Sequence, residues 1–190
     1  MGSEEKYSAN DQLIEGILRD KQWGLTGNNI KPEYLIDRGP DSLVCHIGSE
    51  TWKFYGRGEI SIYDKSLTDW FNLVKFYQKT TNKAVNFCRK KGVSFDGFPL
   101  IINPATTAFV SSKHETVIGI NPFVDPTEKL EENEKSIKFL REVSQILNQG
   151  LKVKGIDLMA YNTHKVSGNL VVVDICPNLD NLKNNFWGLK

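Results

Sequence analysis

Two long stretches of the chain repeat apolar side chains at the spacing of an amphipathic helix. In the first, residues 66–91, the apolar face continues over the whole length. Ser66 stands just before the first apolar residue and Asp69 follows three positions later, an arrangement close to a capping box. The pattern therefore predicts a long helix in the first half of the chain.

The second stretch begins at Asp125, which can act as an N-cap. Pro126 is tolerated at the first helical position, and the glutamates that follow suit the positive end of the helix dipole. Gly150 is predicted to end this helix. A shorter helix is predicted over residues 11–21, after a polar tail of about residues 1–9.

Between the helices lie short runs rich in β-branched and aromatic residues, separated by glycine, proline and asparagine. The predicted strands are residues 42–48, 50–56, 59–64, 97–104, 106–112 and 115–123. Strands interleaved with two long helices predict an α+β fold, with a largely antiparallel sheet or sheets and both helices packed on one face. No composition shift marks a linker, so residues 1–190 are predicted to form a single domain.

A predicted hairpin near the end of the chain brings two carboxylates together. Its strands are residues 154–161 and 169–180, and a turn at residues 164–167 makes Asp157 face Asp174. Like charges in that position repel each other unless a cation lies between them. We therefore expect a metal ion at these carboxylates. The alternative is that both carboxylates cap turns by accepting hydrogen bonds from backbone N–H groups.

The same region resembles the ATP-grasp superfamily. Its segments KGIDLM and VVVDICPN are similar to the last core strands of that family. The resemblance implies that Asp157 and Asp174 hold Mg²⁺ and bridge it to the phosphates of ATP, since Mg²⁺ prefers a few hard oxygen ligands completed by water and phosphate. Cys176 stands where the family has a ligand asparagine, and Asn178 is the residue that could replace that ligand.

A second segment, GFPLIINPA, is similar to a strand on which the family places a phosphate-contacting lysine. Asn103 occupies that position here. The resemblance implies a domain that binds a nucleotide or another phosphorylated ligand, with Mg²⁺ and ATP as cofactors. If it is an enzyme, an ATP-dependent ligase or phosphotransferase is implied, with the metal neutralising charge at the γ-phosphate. A degenerate domain that binds without catalysis is the alternative.

A different class of function, a non-enzymatic interaction module, is suggested by two other features. Lys75, Lys79 and Lys83 recur every four residues on the helix 66–91, and such a basic stripe could follow the phosphates of a nucleic acid or could simply face solvent. The aromatic pair Phe186 and Trp187 in the polar C-terminal tail could contact a protein partner or pack on the domain itself.

Composition narrows these possibilities. The chain has 24 basic and 23 acidic residues, a net charge of +1, so a nucleic-acid partner would have to bind a local patch. Three cysteines without paired spacing argue against a disulfide framework and favour a reducing, intracellular and cytoplasmic location. No apolar run reaches the roughly 18 to 20 residues of a membrane span, so no membrane association is expected.

Overall fold

A computed structural model describes most of the chain and divides it into two compact units. The described residues are 2–39, 42–56, 66–125 and 128–175. Unit 1 comprises Met1–Lys75 and Thr106–Asn121, and unit 2 comprises Phe76–Ala105 and Pro122–Lys190. The prediction of a single domain stays a prediction, and we describe each unit by itself.

The helices and strands of the described residues confirm the α+β class. In chain order they are α1 (Gly2–Ile17), β1 (Leu35–Arg38), β2 (Leu43–Ile47), β3 (Glu50–Gly56), α2 (Leu67–Lys91), β4 (Ser94–Phe95), β5 (Phe98–Ile102), β6 (Thr107–Ser111), β7 (Thr116–Pro122), β8 (Glu128–Lys129), α3 (Glu134–Leu151), β9 (Thr163–Val166) and β10 (Asn169–Val172). The predicted strand 59–64 lies outside the described residues. None of the helices in the described ranges is long and apolar enough to cross a membrane.

Unit 1 is built on a five-stranded sheet in the order β1-β2-β3-β7-β6. The buried side chains of α1 and of the loop after it join those of the sheet in one apolar core, around Trp52 and Phe54. The first helix was predicted over residues 11–21 after a polar tail, but α1 runs from Gly2 to Ile17. It ends there because Leu18 pairs with Ile30 in a β-bridge, so its backbone leaves the helical conformation.

The long helix α2 confirms the first helical prediction and its cap. The backbone N–H of Asp69 donates to Ser66 Oγ at 3.1 Å, and the Ser66 hydroxyl donates to Asp69 Oδ2 at 2.8 Å. The first bond satisfies a backbone N–H at the start of the helix, where no intrahelical acceptor exists, and the second joins the two side chains. Three basic residues in the last turn complement the negative end of the dipole.

The predicted start of the second long helix is wrong, because α3 begins at Glu134 instead of following Asp125. The intervening residues include β8, which pairs with β9, and a strand cannot also be the first turn of a helix. The cap is Asn133, whose side chain accepts from the backbone N–H of Ser136 at 3.0 Å, while Ser136 Oγ accepts from the Asn133 N–H at 3.0 Å. This reciprocal pair is a capping box.

The end of α3 also differs from the prediction, since Gly150 lies inside the last turn and the C-cap is Lys152. Lys152 adopts a left-handed backbone with φ of 54°. A Cβ on Gly150 would lie 2.5 Å from the ring of Phe87, so this glycine allows a close approach of α3 to α2.

Unit 2 contains a second five-stranded sheet in the order β4-β5-β10-β9-β8. β10 pairs with β9 in antiparallel fashion and with β5 in parallel fashion. The turn of the β9–β10 hairpin is Ser167-Gly168, with positive φ values of 48° and 77°, so the predicted turn at residues 164–167 is wrong. Two consecutive left-handed residues fit the tight turn that matches strand twist.

The capping box of α3 generates the first prediction. Replacing Asn133 with Ala should lower the free energy of unfolding by about 1 kcal/mol, because a helix N–H loses its acceptor. Urea denaturation of the variant and the unmodified protein measures the difference. Asp125→Ala, at the start that the sequence suggested, should leave the midpoint unchanged. A larger loss for Asp125→Ala would contradict the observed helix start.

A buried histidine in unit 2 generates the second prediction. His164 on β9 is 5% exposed, its Nδ1 has no hydrogen-bond partner within the described residues, and burial followed by the charge of Lys129 lowers its pKa below 6.5. The unfolded chain binds this proton more readily, so stability should fall as pH drops from about 6.5 and through the lowered pKa of the folded state. Thermal melts between pH 7.5 and 5 measure the slope.

The matched variant His164→Gln should reduce that slope. Burial also lowers the pKa of His114 in unit 1, so part of the pH dependence should remain in the variant. An unchanged slope would mean that His164 takes up its proton equally well in both states.

Candidate functional site

The candidate site lies at the C-terminal end of β10, where Asp174 follows the strand. Asp174 Oδ1 accepts a hydrogen bond of 2.6 Å from the hydroxyl of Tyr77 on α2. Tyr77 is 3% exposed, so this bond joins a buried phenol to a half-buried carboxylate. A hydrogen bond this short, from a buried donor, restricts the orientation of the Asp174 side chain.

The loop 155–159 carries Asp157 and is held by the side chains of α3. Asn148 brackets Ile156: its Nδ2 donates to the Ile156 carbonyl at 2.8 Å, and its Oδ1 accepts from the Ile156 N–H at 3.0 Å. Ser144 Oγ accepts from the N–H of Leu158 at 2.9 Å. The backbone on both sides of Asp157 is thus tied to the same helix.

Two backbone bonds then bring this loop to the segment that carries Asp174. The N–H of Asp157 donates to the carbonyl of Ile175 at 2.9 Å, and the N–H of Val173 donates to the carbonyl of Asn162 at 2.8 Å. Residues directly before and after Asp174 therefore bond to Asn162 and Asp157. The loop is closed by a 3₁₀ turn over Ala160–Asn162, which leads into β9.

The two carboxylates do not face each other in a ladder. Loss of solvation raises the pKa of the Tyr161 hydroxyl, and the negative charges of Asp174, Asp157 and Glu132 raise it further. The predicted direct pairing of Asp157 with Asp174 is wrong, because the 3₁₀ turn interrupts the antiparallel ladder before residue 157. The segments that carry the two carboxylates are instead joined by the backbone hydrogen bonds of the loop 155–159 and of Asn162.

The carboxylates at this site belong to Asp157 and Asp174, and the backbone carbonyl of Asn162 accepts from the residue before Asp174. Within the described residues, no group of three or more His, Cys, Asp or Glu side chains could hold a metal. Mg²⁺ commonly uses only one or two carboxylates and completes its shell with water and phosphate, so this donor set fits it. The metal-binding role of Asp157 and Asp174 stays a prediction.

Five residues of this region were not predicted from the sequence: Asn162, Ser144, Asn148, Tyr161 and Tyr77. The sequence contains a signal for Asn162, which is its spacing from Asp157-Leu158 ahead of a hairpin. Ser144 and Asn148 gave no comparable signal, because polar residues inside an amphipathic helix usually face solvent.

Asn103, the predicted nucleotide contact, is buried just after β5. Its backbone N–H donates to the Val172 carbonyl at 2.8 Å, which places it beside the end of β10. Its side-chain amide donates to the carbonyl of Pro122 at 2.9 Å. A contact with a cofactor therefore stays a prediction. Asn178 and Cys176 lie outside the described residues.

The features of the alternative function are placed as follows. Lys75, Lys79 and Lys83 are exposed along α2, and the Lys75 ammonium lies 5.5 Å from the ring centre of Phe71. Their binding to nucleic acid stays a prediction. The aromatic tail with Trp187 lies outside the described residues.

Comparisons with known proteins leave the family of this chain open. No family model matches the chain. No curated protein matches it either. The ATP-grasp resemblance therefore stays a prediction.

Two solved structures have a weak likeness to it. A mutant kinase domain of PknI from Mycobacterium tuberculosis aligns with 81% of this chain and 63% of its own length, at a TM-score of 0.43 and 10% identity. A mutant PAN3 pseudokinase from Neurospora crassa aligns with 95% of this chain and 49% of its own length, at a TM-score of 0.35 and 10% identity. The chain spans less than two thirds of either protein, and at these scores neither likeness carries an argument about function.

The effect of the Asp174 charge on Tyr161 generates the third prediction. Replacing Asp174 with Asn should lower the pKa of the Tyr161 hydroxyl, because removing a nearby negative charge favours the phenolate. The shift should be partial, since burial is the larger cause and remains. Titration of ¹³C-labelled tyrosine by NMR measures it, with Glu142→Gln on the exposed side of α3 as the control. An unmoved Tyr161 resonance would contradict the described geometry.

Proposed function

We propose that the chain binds a nucleotide together with Mg²⁺ and transfers its terminal phosphoryl group, using Asp157, Asn162 and Asp174. The observation that carries the proposal is the way the loop 155–162 is bonded to both sides of Asp174. Two stretches of the chain, the loop with Asp157 and Asn162 and the segment with Asp174, are thereby joined at the end of one hairpin. Such an assembly on a fixed backbone is what phosphoryl transfer needs, since its catalysis is mostly positioning and charge neutralisation.

The spacing of these residues agrees with a known catalytic arrangement. Protein kinases have a loop of the form D-L-x-x-x-N, followed by an aspartate on a later segment. This chain has Asp157, Leu158 and Asn162 at that spacing, and Asp174 after the hairpin. The order of the motifs along the chain is also the same as in protein kinases. The kinase signature has a phosphate-contacting lysine on its third strand, and this chain has the buried Lys53 on β3.

The chain departs from the signature in three places. Gly155-Ile156 stands where the loop has His-Arg, and Ile175-Cys176 follows Asp174 where the signature has Phe-Gly. Between β1 and β2 the chain has one glycine, Gly39, instead of a glycine-rich phosphate loop. The support for the proposal is therefore confined to the metal and transfer residues.

The roles follow from the donor atoms. Asp174 and Asn162 would supply oxygen ligands to Mg²⁺, and the bound cation would offset negative charge on the nucleotide phosphates. Asp157 would accept the proton of the acceptor hydroxyl as that oxygen attacks the terminal phosphorus and the bond to the leaving nucleoside diphosphate breaks. The ATP-grasp resemblance instead makes Asp157 a metal ligand. The two assignments differ in what happens when Asp157 is replaced.

The fourth prediction concerns binding. The unmodified protein should show a rise in melting temperature that requires ATP and Mg²⁺ together, equivalent to about 2.7 kcal/mol when the complex is present at a hundred times its dissociation constant. Asp174→Asn and Asn162→Ala should reduce the shift, because each removes a metal ligand. Glu142→Gln, the same kind of change on the exposed surface of α3, should retain it.

Replacing Asp157 separates the assignments. If Asp157 is the proton acceptor, Asp157→Asn keeps the Mg-ATP shift and loses release of ADP from ATP, measured with a coupled assay. If it is a metal ligand, the shift is lost as well. An unmodified protein whose melting temperature does not change when ATP and Mg²⁺ are added would contradict the proposed function.

A further inference from the structure

A tyrosine from a distant part of the sequence is bonded to the carboxylate of the candidate site. Tyr77 lies 97 residues before Asp174, and its hydroxyl donates to Asp174 Oδ1 at 2.6 Å. The phenol is almost completely buried, so water does not compete strongly for this donor. Neither the kinase loop spacing nor the ATP-grasp resemblance assigns a role to Tyr77.

We propose that Tyr77 is a positioning residue that sets the affinity of the site for Mg²⁺ by holding the Asp174 carboxylate. The inference rests on the proposed function, because it assumes that Asp174 is a metal ligand. A carboxylate that ligates a metal is usually hydrogen-bonded to an outer group that fixes its orientation. Tyrosine suits this task, since its rigid ring has few torsions and its hydroxyl reaches beyond the apolar contacts of the ring.

The helix that carries Tyr77 is itself tied to the strand that precedes Asp174. On α2, the side chain of Asn82 donates to the Ala105 carbonyl at 3.0 Å and accepts from the Ala105 N–H at 3.1 Å. Two residues earlier, the N–H of Asn103 donates to the carbonyl of Val172 at the end of β10. Both ends of the Tyr77–Asp174 bond are thus fixed by separate contacts.

The orientation of Asp174 is consequently determined before a metal arrives. Without the hydroxyl, the carboxylate gains rotational freedom that metal binding must remove. Loss of an outer hydrogen bond of this kind typically weakens metal affinity or activity by about 10- to 100-fold. The ring itself packs in the same place when the hydroxyl is deleted, so the fold should be retained.

The fifth prediction is tested with Tyr77→Phe and a Mg²⁺ titration at a fixed ATP concentration. The Mg²⁺ concentration that gives half of the full melting shift should rise by about 10- to 100-fold, while the full shift at saturating Mg²⁺ is retained. A Mn²⁺ titration followed by electron paramagnetic resonance should show the same loss of affinity. Tyr34→Phe, which deletes a hydroxyl from a partly buried tyrosine in unit 1, is the matched control and should leave both titrations unchanged.

The outcomes separate the inference from the proposed function. An unchanged half-saturating Mg²⁺ concentration in Tyr77→Phe, beside a normal shift in the unmodified protein, overturns the role of Tyr77 alone. The variant could also have a lower melting temperature without ligand and the same half-saturating Mg²⁺ concentration. That result would mean that Tyr77 only stabilises the fold, and it would overturn the inference too. Absence of any Mg²⁺-dependent shift in the unmodified protein overturns the proposed function and this inference with it.

Discussion

The geometry of the candidate site depends on how the backbone of residues 155–159 satisfies its hydrogen bonds. These residues are neither helix nor strand, so no regular ladder pairs their N–H and C=O groups, and unpaired buried groups cost free energy. Ser144 and Asn148 on α3 supply the missing partners. Such side chains are usually unfavourable inside helices because they compete for backbone groups. Here their capacity to bond backbone groups holds a neighbouring loop.

Buried apolar side chains also fix the direction in which the loop 155–159 presents its side chains. Burial alternates along residues 155–159, with Ile156 and Leu158 in the core and Asp157 only half buried between them. Alternating burial is the pattern of an extended segment with one side against the core. The carboxylate is therefore directed away from the apolar side, while its backbone N–H remains bonded to Ile175. Burial and hydrogen bonding therefore agree on how the backbone of Asp157 is held.

The parts of the fold that were predictable are those set by local periodicity. The α+β class and the cap of α2 at Ser66 follow from residues close together in sequence. The start of α3 did not, because Asp125 is a good local cap and the competing structure, β8 paired with β9, depends on residues almost forty positions away. Local propensity is a weak prior, and a long-range partner overrides it.

The candidate site was predictable only in part for the same reason. The two aspartates were visible as an acidic pair near a hairpin, but their predicted register relied on a turn at the wrong residues. A glycine such as Gly168 indicates a turn, whereas nothing in the sequence indicates that Ser167 has a left-handed backbone. The spacing of Asn162 was legible in the chain, while the bond from Tyr77 was not, because nothing local connects α2 with Asp174.

The two aspartates are held by different kinds of hydrogen bond, and this difference is relevant to their proposed roles. Asp174 is held through its side chain by a buried phenol, whereas Asp157 is held through its backbone N–H. A metal ligand must keep its oxygen within about 0.2 Å of the coordination distance, so a fixed carboxylate suits that task. A proton acceptor meets its hydroxyl only when the substrate arrives, and its hydrogen bond commonly tightens in that complex. A carboxylate carried on a fixed backbone suits the second task, so these two kinds of support agree with the proposed roles, Asp174 for the metal and Asp157 for the proton.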